Sequence, residues 1–333
     1  MKKIKLKLIK LVSYIIGKYY LGDTKQSEWI VEKYQNLSSI FANILNQLCY
    51  ILRLPYSYRL TSLVVEITNR CNLKCIMCSH HKGMKRAPKD LEFNLLKKII
   101  SDTHRYIETI CISHVGEPFI NPDIFKIIDY IKKNGQRVII FTNGTLLNEE
   151  KMLKLLQLKV DVLNFSIDGS SELYESIRGW SYDDIKKKVL KFVELRNKFN
   201  KDTKVNIVMV IFEENEKEIK NFTNYWEKFV DAVKYLPRIL EYKGNQRERH
   251  RKICRELWRG NLVITSSGNI VCCCVDYDED YILGNVSEQK LKDIWNCEKL
   301  RSLRKRHLKR DFPDGCKRCD EYQSSLCKPR LTR

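Results

Sequence analysis

Thr68-Asn69-Arg70-Cys71-Asn72-Leu73-Lys74-Cys75-Ile76-Met77-Cys78 is the stretch from which the rest of the chain can be read. Its cysteines are spaced C-x3-C-x2-C, directly behind an apolar run at 63–67 that reads as a strand. Three thiolates on one short loop can hold three irons of a [4Fe–4S] cube and leave the fourth open to a ligand from outside the protein. Closed electron-transfer clusters take four cysteines, and structural zinc also takes four ligands. The loop therefore points to chemistry at an open iron. Zinc would need His80 or His81 as its fourth ligand.

Outward from the loop the chain alternates. Strand-like runs at 63–67, 109–113, 138–141, 162–167 and 205–211, with a weaker one at 232–236, are separated by amphipathic helical stretches. Those stretches fall at 91–104, 124–133, 149–158, 182–199 and 216–229. Asn121-Pro122 offers a helix cap followed by proline at the first helical position. Ser181-x-x-Asp184 has the form of a capping box. Such alternation predicts an α/β fold, a parallel sheet with crossover helices, whose ligands sit at the carboxyl ends of the strands.

In this order the motifs resemble the radical S-adenosylmethionine (radical SAM) superfamily. Val115-Gly116-Glu117-Pro118, behind the second strand, resembles the family's Gly-Gly-Glu-Pro turn, with Val115 in the first glycine's place. Thr142-Asn143-Gly144 and Ser166-Ile167-Asp168-Gly169 end the third and fourth strands. The resemblance implies a partial (β/α)6 barrel in which Cys71, Cys75 and Cys78 hold a SAM-binding [4Fe–4S] cluster. It also implies that Gly116 and Glu117 receive the methionine ammonium and that Asn143 lies in a turn near the cofactor. Ser166 or Asp168 would lie near the ribose hydroxyls. Reduced by a flavodoxin- or ferredoxin-type donor, the cluster would cleave SAM to a 5′-deoxyadenosyl radical. Tyr174-Glu175-Ser176-Ile177-Arg178-Gly179 is similar to a segment of one subgroup, and its Arg178 could bind an anion.

Near the C-terminus come Cys254, Gly268, the triplet Cys272-Cys273-Cys274, then Gly284-Asn285-Val286, Ile294-Trp295, Cys316-x2-Cys319 and Cys327. The order resembles the SPASM/twitch type of extension. It implies an auxiliary [4Fe–4S] cluster on Cys254, Cys273, Cys316 and Cys319, with Cys272, Cys274 or Cys327 able to replace one of them. The seven residues between Cys319 and Cys327 depart from the full two-cluster pattern, so one auxiliary cluster is expected. A four-cysteine zinc site is the alternative. Cys49, Cys111 and Cys297 fall outside these motifs and read as small apolar residues.

The 333 residues divide into an expected basic helical extension at 1–60, a catalytic core at 61–245 and a small Cys-rich metal-cluster domain at 246–333. Thirteen cysteines, odd in number and grouped in loops, with no evident signal peptide, predict metal ligation in a reducing cytoplasm. The balance of 61 Lys+Arg against 41 Asp+Glu, a net +20, favours anionic partners or a lysine-rich solvated surface. Lys2, Lys3, Lys5, Lys7, Lys10 and Lys18 interleave with Ile4, Leu8, Leu11, Ile15 and Tyr19. Residues 1–21 thus read as an amphipathic helix that either lies on an anionic membrane or packs on the core. Its lysines recur too often for a membrane span. A second helical stretch is expected at 28–52, with Pro55 as a break.

The expected activity is hydrogen abstraction from a small polar substrate, sugar-like and nucleotide- or lipid-linked, with net oxidation. Peptide maturation is the alternative. Relatives of that kind often carry a peptide-clasping three-stranded domain, a pattern that 1–60 lacks. A third reading is a non-catalytic iron–sulfur or zinc protein that binds nucleic acid. It needs no SAM site, so the turn at 116–118 counts against nucleic acid.

Overall fold

Blocks of branched apolar residues set the framework. β1 (Ser62–Val65), β2 (Thr109–Ile112), β3 (Arg137–Thr142), β4 (Val162–Ser166), β5 (Lys204–Ile211) and β6 (Ala232–Pro237) pair in parallel, neighbour to neighbour in chain order. Parallel strands are covered on both faces, which suits their near-continuous Val and Ile. This computed structural model describes residues 37–81, 83–211, 213–237 and 253–317. The basic stretch 1–21, Cys319 and Cys327 lie outside the described residues.

α1 (Leu37–Ile51) precedes the sheet. The crossovers are α2 (Phe93–Thr103), α3 (Ile124–Lys133), α4 (Glu149–Gln157), the pair α5 (Ser171–Arg178) and α6 (Tyr182–Phe199), and α7 (Ile219–Trp226). Ser181 caps α6, its hydroxyl accepting from Asp184 N at 3.4 Å. Asn121 departs from expectation. Its Oδ1 accepts from Asp123 N, and its Nδ2 donates to Ile67 O at 2.6 Å, so it ties α3's entry to the end of β1.

The two faces of the sheet differ. Leu63, Val65, Ile110, Ile112, Leu163 and Phe165 are fully buried in the core cluster shared with the helices. Phe165 meets Phe192 of α6 with ring centroids 5.9 Å apart. Residues one step along a strand point the other way. On β4 and β5 these include Asn164, Ser166 and Asn206, and Asn206 Nδ2 donates to Asn164 Oδ1 at 3.0 Å. The unclosed barrel therefore has an apolar outer face and a partly polar inner one.

Beyond β1 the sheet continues. β7 (Asn261–Ile264) lies parallel to β1, with Ser62 opposite Asn261 and Val65 opposite Ile264. β8 (Asn269–Val271) and β9 (Ile282–Asn285) follow antiparallel. Gly268, at φ +80°, closes the turn between β7 and β8, donating its N–H to Thr265 O at 2.8 Å. A Cβ there would meet Leu95 Cδ2 at 2.7 Å. α8 (Leu291–Ile294), α9 (Glu298–Leu308) and α10 (Asp314–Lys317) complete the described chain. The Cys-rich region thus shares one nine-stranded sheet with the barrel.

Candidate active site

The cysteine loop leaves β1 and is fastened on three sides. On the first, Asn69 Nδ2 donates to Ala87 O at 2.8 Å and Lys89 N to Asn69 Oδ1 at 2.6 Å, while Arg70 pairs with Asp90. On the second, Glu117 N donates to Arg70 O at 2.8 Å. On the third, Asn143 Nδ2 donates to Asn72 Oδ1 at 3.0 Å, Asn72 Nδ2 to Thr145 Oγ1 at 2.8 Å, and Ile76 N to Ile177 O at 3.0 Å. The ends of β2 and β3 and the end of α5 therefore set the shape of the loop. Cys71, Cys75 and Cys78 lie close enough to feel one another's charge. Burial, aided by Glu117 and the neighbouring thiols, pushes the Cys71 thiol up to about 11. Burial also raises Cys75, against the pull of Arg178. Half-buried thiols of this kind release protons when they take metal. The donor set, three thiols on one pinned loop, fits a cube held at three corners. Among the described residues no three Cys, His, Asp or Glu side chains converge as a single ion requires.

Gly116 lies where two backbones cross. A Cβ would stand 2.2 Å from Thr68 O and 2.8 Å from Arg70 O. The Glu117 carboxylate is buried and accepts from Thr142 Oγ1 at 2.7 Å, Asn143 N at 2.7 Å and Phe119 N at 3.2 Å. Burial raises its pKa, opposed by those three donors. Asn143 Oδ1 accepts from Thr145 N and Oγ1. Ser166, half-buried on the inner face, has no hydrogen-bonded side-chain partner among the described residues.

Asp168 is 0% exposed, Oδ1 accepts from Val210 N at 2.6 Å, and Oδ2 takes both Arg178 Nε and Nη2 at 2.7 and 2.6 Å. It anchors Arg178, whose Nη1 lies 3.8 Å from Cys75 Sγ.

Among the C-terminal thiols, Cys254, Cys272 and Cys274 are near enough to act on the charge of Cys273, and Cys316 on that of Cys272. Cys273 Sγ accepts from Val275 N at 3.4 Å. Cys272 is buried, and burial pushes its thiol far up. Arg304 of α9 faces Cys272, Cys297 and Cys49. It is fully buried and donates to Leu257 O, Trp295 O and Asn296 Oδ1 at 2.9, 3.1 and 2.7 Å. Among the described residues no carboxylate pairs with it, and burial lowers its pKa to about 10.

Residues 65–237 match the radical SAM superfamily model. The chain belongs to the radical SAM superfamily. Residues 254–320 match SPASM, an iron–sulfur cluster-binding domain. The two matches bring with them SAM, a [4Fe–4S] cluster and an auxiliary iron–sulfur cluster as cofactors, and the chain spans about half the length of the first of its curated relatives. It is 30% identical over 172 residues to the tungsten-containing aldehyde ferredoxin oxidoreductase cofactor-modifying protein of Pyrococcus furiosus, covering 49% of this chain and 47% of that one. It is 24% identical over 269 residues to the S-adenosyl-L-methionine-dependent 2-deoxy-scyllo-inosamine dehydrogenase of Niallia circulans, covering 77% of this chain and 91% of that enzyme. The crystal structure of BtrN in complex with AdoMet and 2-DOIA superposes with a TM-score of 0.56 over 79% of this chain and 94% of that one. At 17% identity, that likeness is one of fold.

This radical SAM enzyme carries one more cluster of charges at the carboxyl ends of β1, β2 and β7, which sequence reading missed. Glu66 is fully buried and takes Arg86 through both oxygens at 2.8 Å, His114 Nδ1 at 2.6 Å, and Ser266 N and Oγ at 2.9 and 2.8 Å. Arg86 also reaches Glu279 and Tyr277 O. His114 holds a left-handed φ of 124°, strained for a residue with a Cβ. Its buried Nε2 has no hydrogen-bond partner among the described residues. One sequence signal was available: a carboxylate directly behind an apolar strand has to find a partner when it is buried.

Proposed function

We propose that the enzyme removes a hydrogen atom from a carbon of a small polar, sugar-like substrate, carried by a nucleotide or lipid or free, with net oxidation. The observation that carries this reading is the match to a dehydrogenase named for an aminocyclitol, spanning nearly that enzyme's whole length. Cys71, Cys75 and Cys78 are assigned to the SAM-binding cluster. Cys254, Cys273, Cys316 and Cys319 are assigned to the auxiliary one, with Cys272 beside them. When bound, these groups supply one-electron hydrogen abstraction, and the reducing electron comes from a flavodoxin- or ferredoxin-type donor.

The chain's own residues do the rest. Gly116 and Glu117 dock the methionine-side turn onto the cluster loop, and Asn143 holds the neighbouring turn. Arg178 keeps a positive charge beside Cys75. Ser166, at the mouth of the inner face, is the hydroxyl assigned to the ribose. Oxidising an alcohol carbon also releases a proton and a second electron, for which the auxiliary cluster would be the acceptor. His114 is the base within this frame, because Glu66 holds its Nδ1 and leaves Nε2 to accept.

The test uses anaerobically reconstituted protein, dithionite, SAM and either 2-deoxy-scyllo-inosamine or nucleotide-linked sugars. The expected result is 5′-deoxyadenosine with a product two hydrogens lighter, and transfer of deuterium from a labelled substrate carbon into 5′-deoxyadenosine. Stimulation by a peptide and by none of the sugars would overturn the substrate class.

A further inference from the structure

α1 is amphipathic in the reverse sense for a helix at a water-facing surface. Its buried side is largely polar. Asn46 Nδ2 donates to Arg59 O at 2.7 Å, and its Oδ1 accepts from Ser57 Oγ at 2.8 Å and Arg59 N at 3.0 Å. Asn43 Nδ2 reaches Arg259 O at 3.5 Å, and Gln47 Oε1 accepts from Arg255 at 3.3 Å. These bonds fix the helix's rotation, since rolling it would strand buried polar groups. The outward side carries Phe41, Leu48 and Leu52, at 58%, 39% and 65% exposure and helical spacing. The chain that follows adds exposed Leu54, Tyr56 and Tyr58. Exposed apolar side chains grouped this closely along the chain point to a contact surface.

We propose that this face docks on an anionic lipid surface, with the lysine-rich residues 1–21 as its electrostatic partner. Charge complementarity favours lipid. Lys2, Lys3, Lys5, Lys7, Lys10 and Lys18 precede α1 on a chain of net +20, and lysines near anionic headgroups are attracted. Tyr56 and Tyr58 suit the boundary between headgroups and acyl chains. One other occupant fits less well. A second copy would bring two strongly positive chains into contact. No described helix is long and apolar enough to cross a membrane. The inference does not rest on the proposed reaction. It narrows that reaction's substrate to the lipid-carried form.

The experiment is co-sedimentation of the full chain with phosphatidylglycerol vesicles and with phosphatidylcholine vesicles, in low and high salt, without SAM or reductant. The protein should pellet with phosphatidylglycerol and not with phosphatidylcholine, and less so in high salt because exposed charges are screened. The double variant Phe41→Ser/Leu52→Ser should bind about tenfold less, as two lost apolar contacts predict, with unchanged melting temperature and iron content. Binding equal to wild type would overturn the docking face, as would failure to bind either vesicle. A drop in the variant's melting temperature would show instead that the chain's own residues cover the face. A lipid-free dimer that the variant dissolves, seen by light scattering, would assign it to self-association. Because no turnover is measured, failure here is separable from failure of the proposed chemistry.

Discussion

Gly116 leaves no room for a side chain because the cluster loop's own backbone occupies the space. The family motif made this glycine legible, but the motif ascribes it to ligand approach. The structure adds a second reason, the crossing of the chain at Thr68 and Arg70. Overpacking typically costs about 1–3 kcal/mol, and here the obstacle is backbone. Gly116→Ala is expected to lose most of the iron of the SAM-binding site and keep the auxiliary iron, as read by iron analysis and electron paramagnetic resonance. Glu66 makes a second prediction at this scale. Burial alone would raise its pKa, but hydrogen bonds from His114 and Arg86, and the Arg86 charge, hold it well below the usual carboxylate range. A depressed carboxyl stabilises the fold fully above its unfolded pKa, about 4.3, and loses that contribution as pH falls toward its folded value. Glu66→Gln should therefore cost about 3–5 kcal/mol near neutrality, because it leaves a buried guanidinium short of its partner. The gap to wild type should narrow near pH 3.5. Urea unfolding at both pH values measures it, and a gap that ignores pH would mean Glu66 is not ionised in the fold.

At the scale of elements, legibility followed burial chemistry. The strands β1 to β6 could be read because both their faces are covered and their residues are largely branched and apolar. β9 could not, since Ile282-Leu283-Gly284-Asn285 is short and carries a glycine. α9 escaped because two of its buried positions, Arg304 and His307, are polar, which breaks the apolar period. α1 was foreseen as part of a helix at 28–52, but which side faces inward depends on asparagines bonding to loops far along the chain. The surroundings of Asp168 were not legible for a related reason. Its partner Arg178 is supplied by the following helix, and nothing in the motif itself says that the carboxylate is already taken. The cysteine loop tests the division of labour between elements. Cys71, Cys75 and Cys78 replaced together by Ala should abolish 5′-deoxyadenosine formation. About four irons should remain at the C-terminal thiols, the number a closed cube needs. Persistent cleavage would refute the loop's assignment, and zinc in place of iron would make the second site structural.

At the scale of the molecule, β1 has partners from opposite ends of the chain. Ser62 pairs with Thr109 on one side and with Asn261 on the other. On the ribosome, then, the strand that launches the cysteine loop waits with one edge bare until residue 264 has been made. Unpaired edges of slow parallel sheets invite aggregation. A chain stopped at residue 253 contains Cys71, Cys75 and Cys78, yet it should come out of cells largely insoluble and refold without holding the first cluster. Iron loading of the Cys71, Cys75 and Cys78 loop is therefore expected to wait on residues 261–264, whose strand closes the open edge beside it.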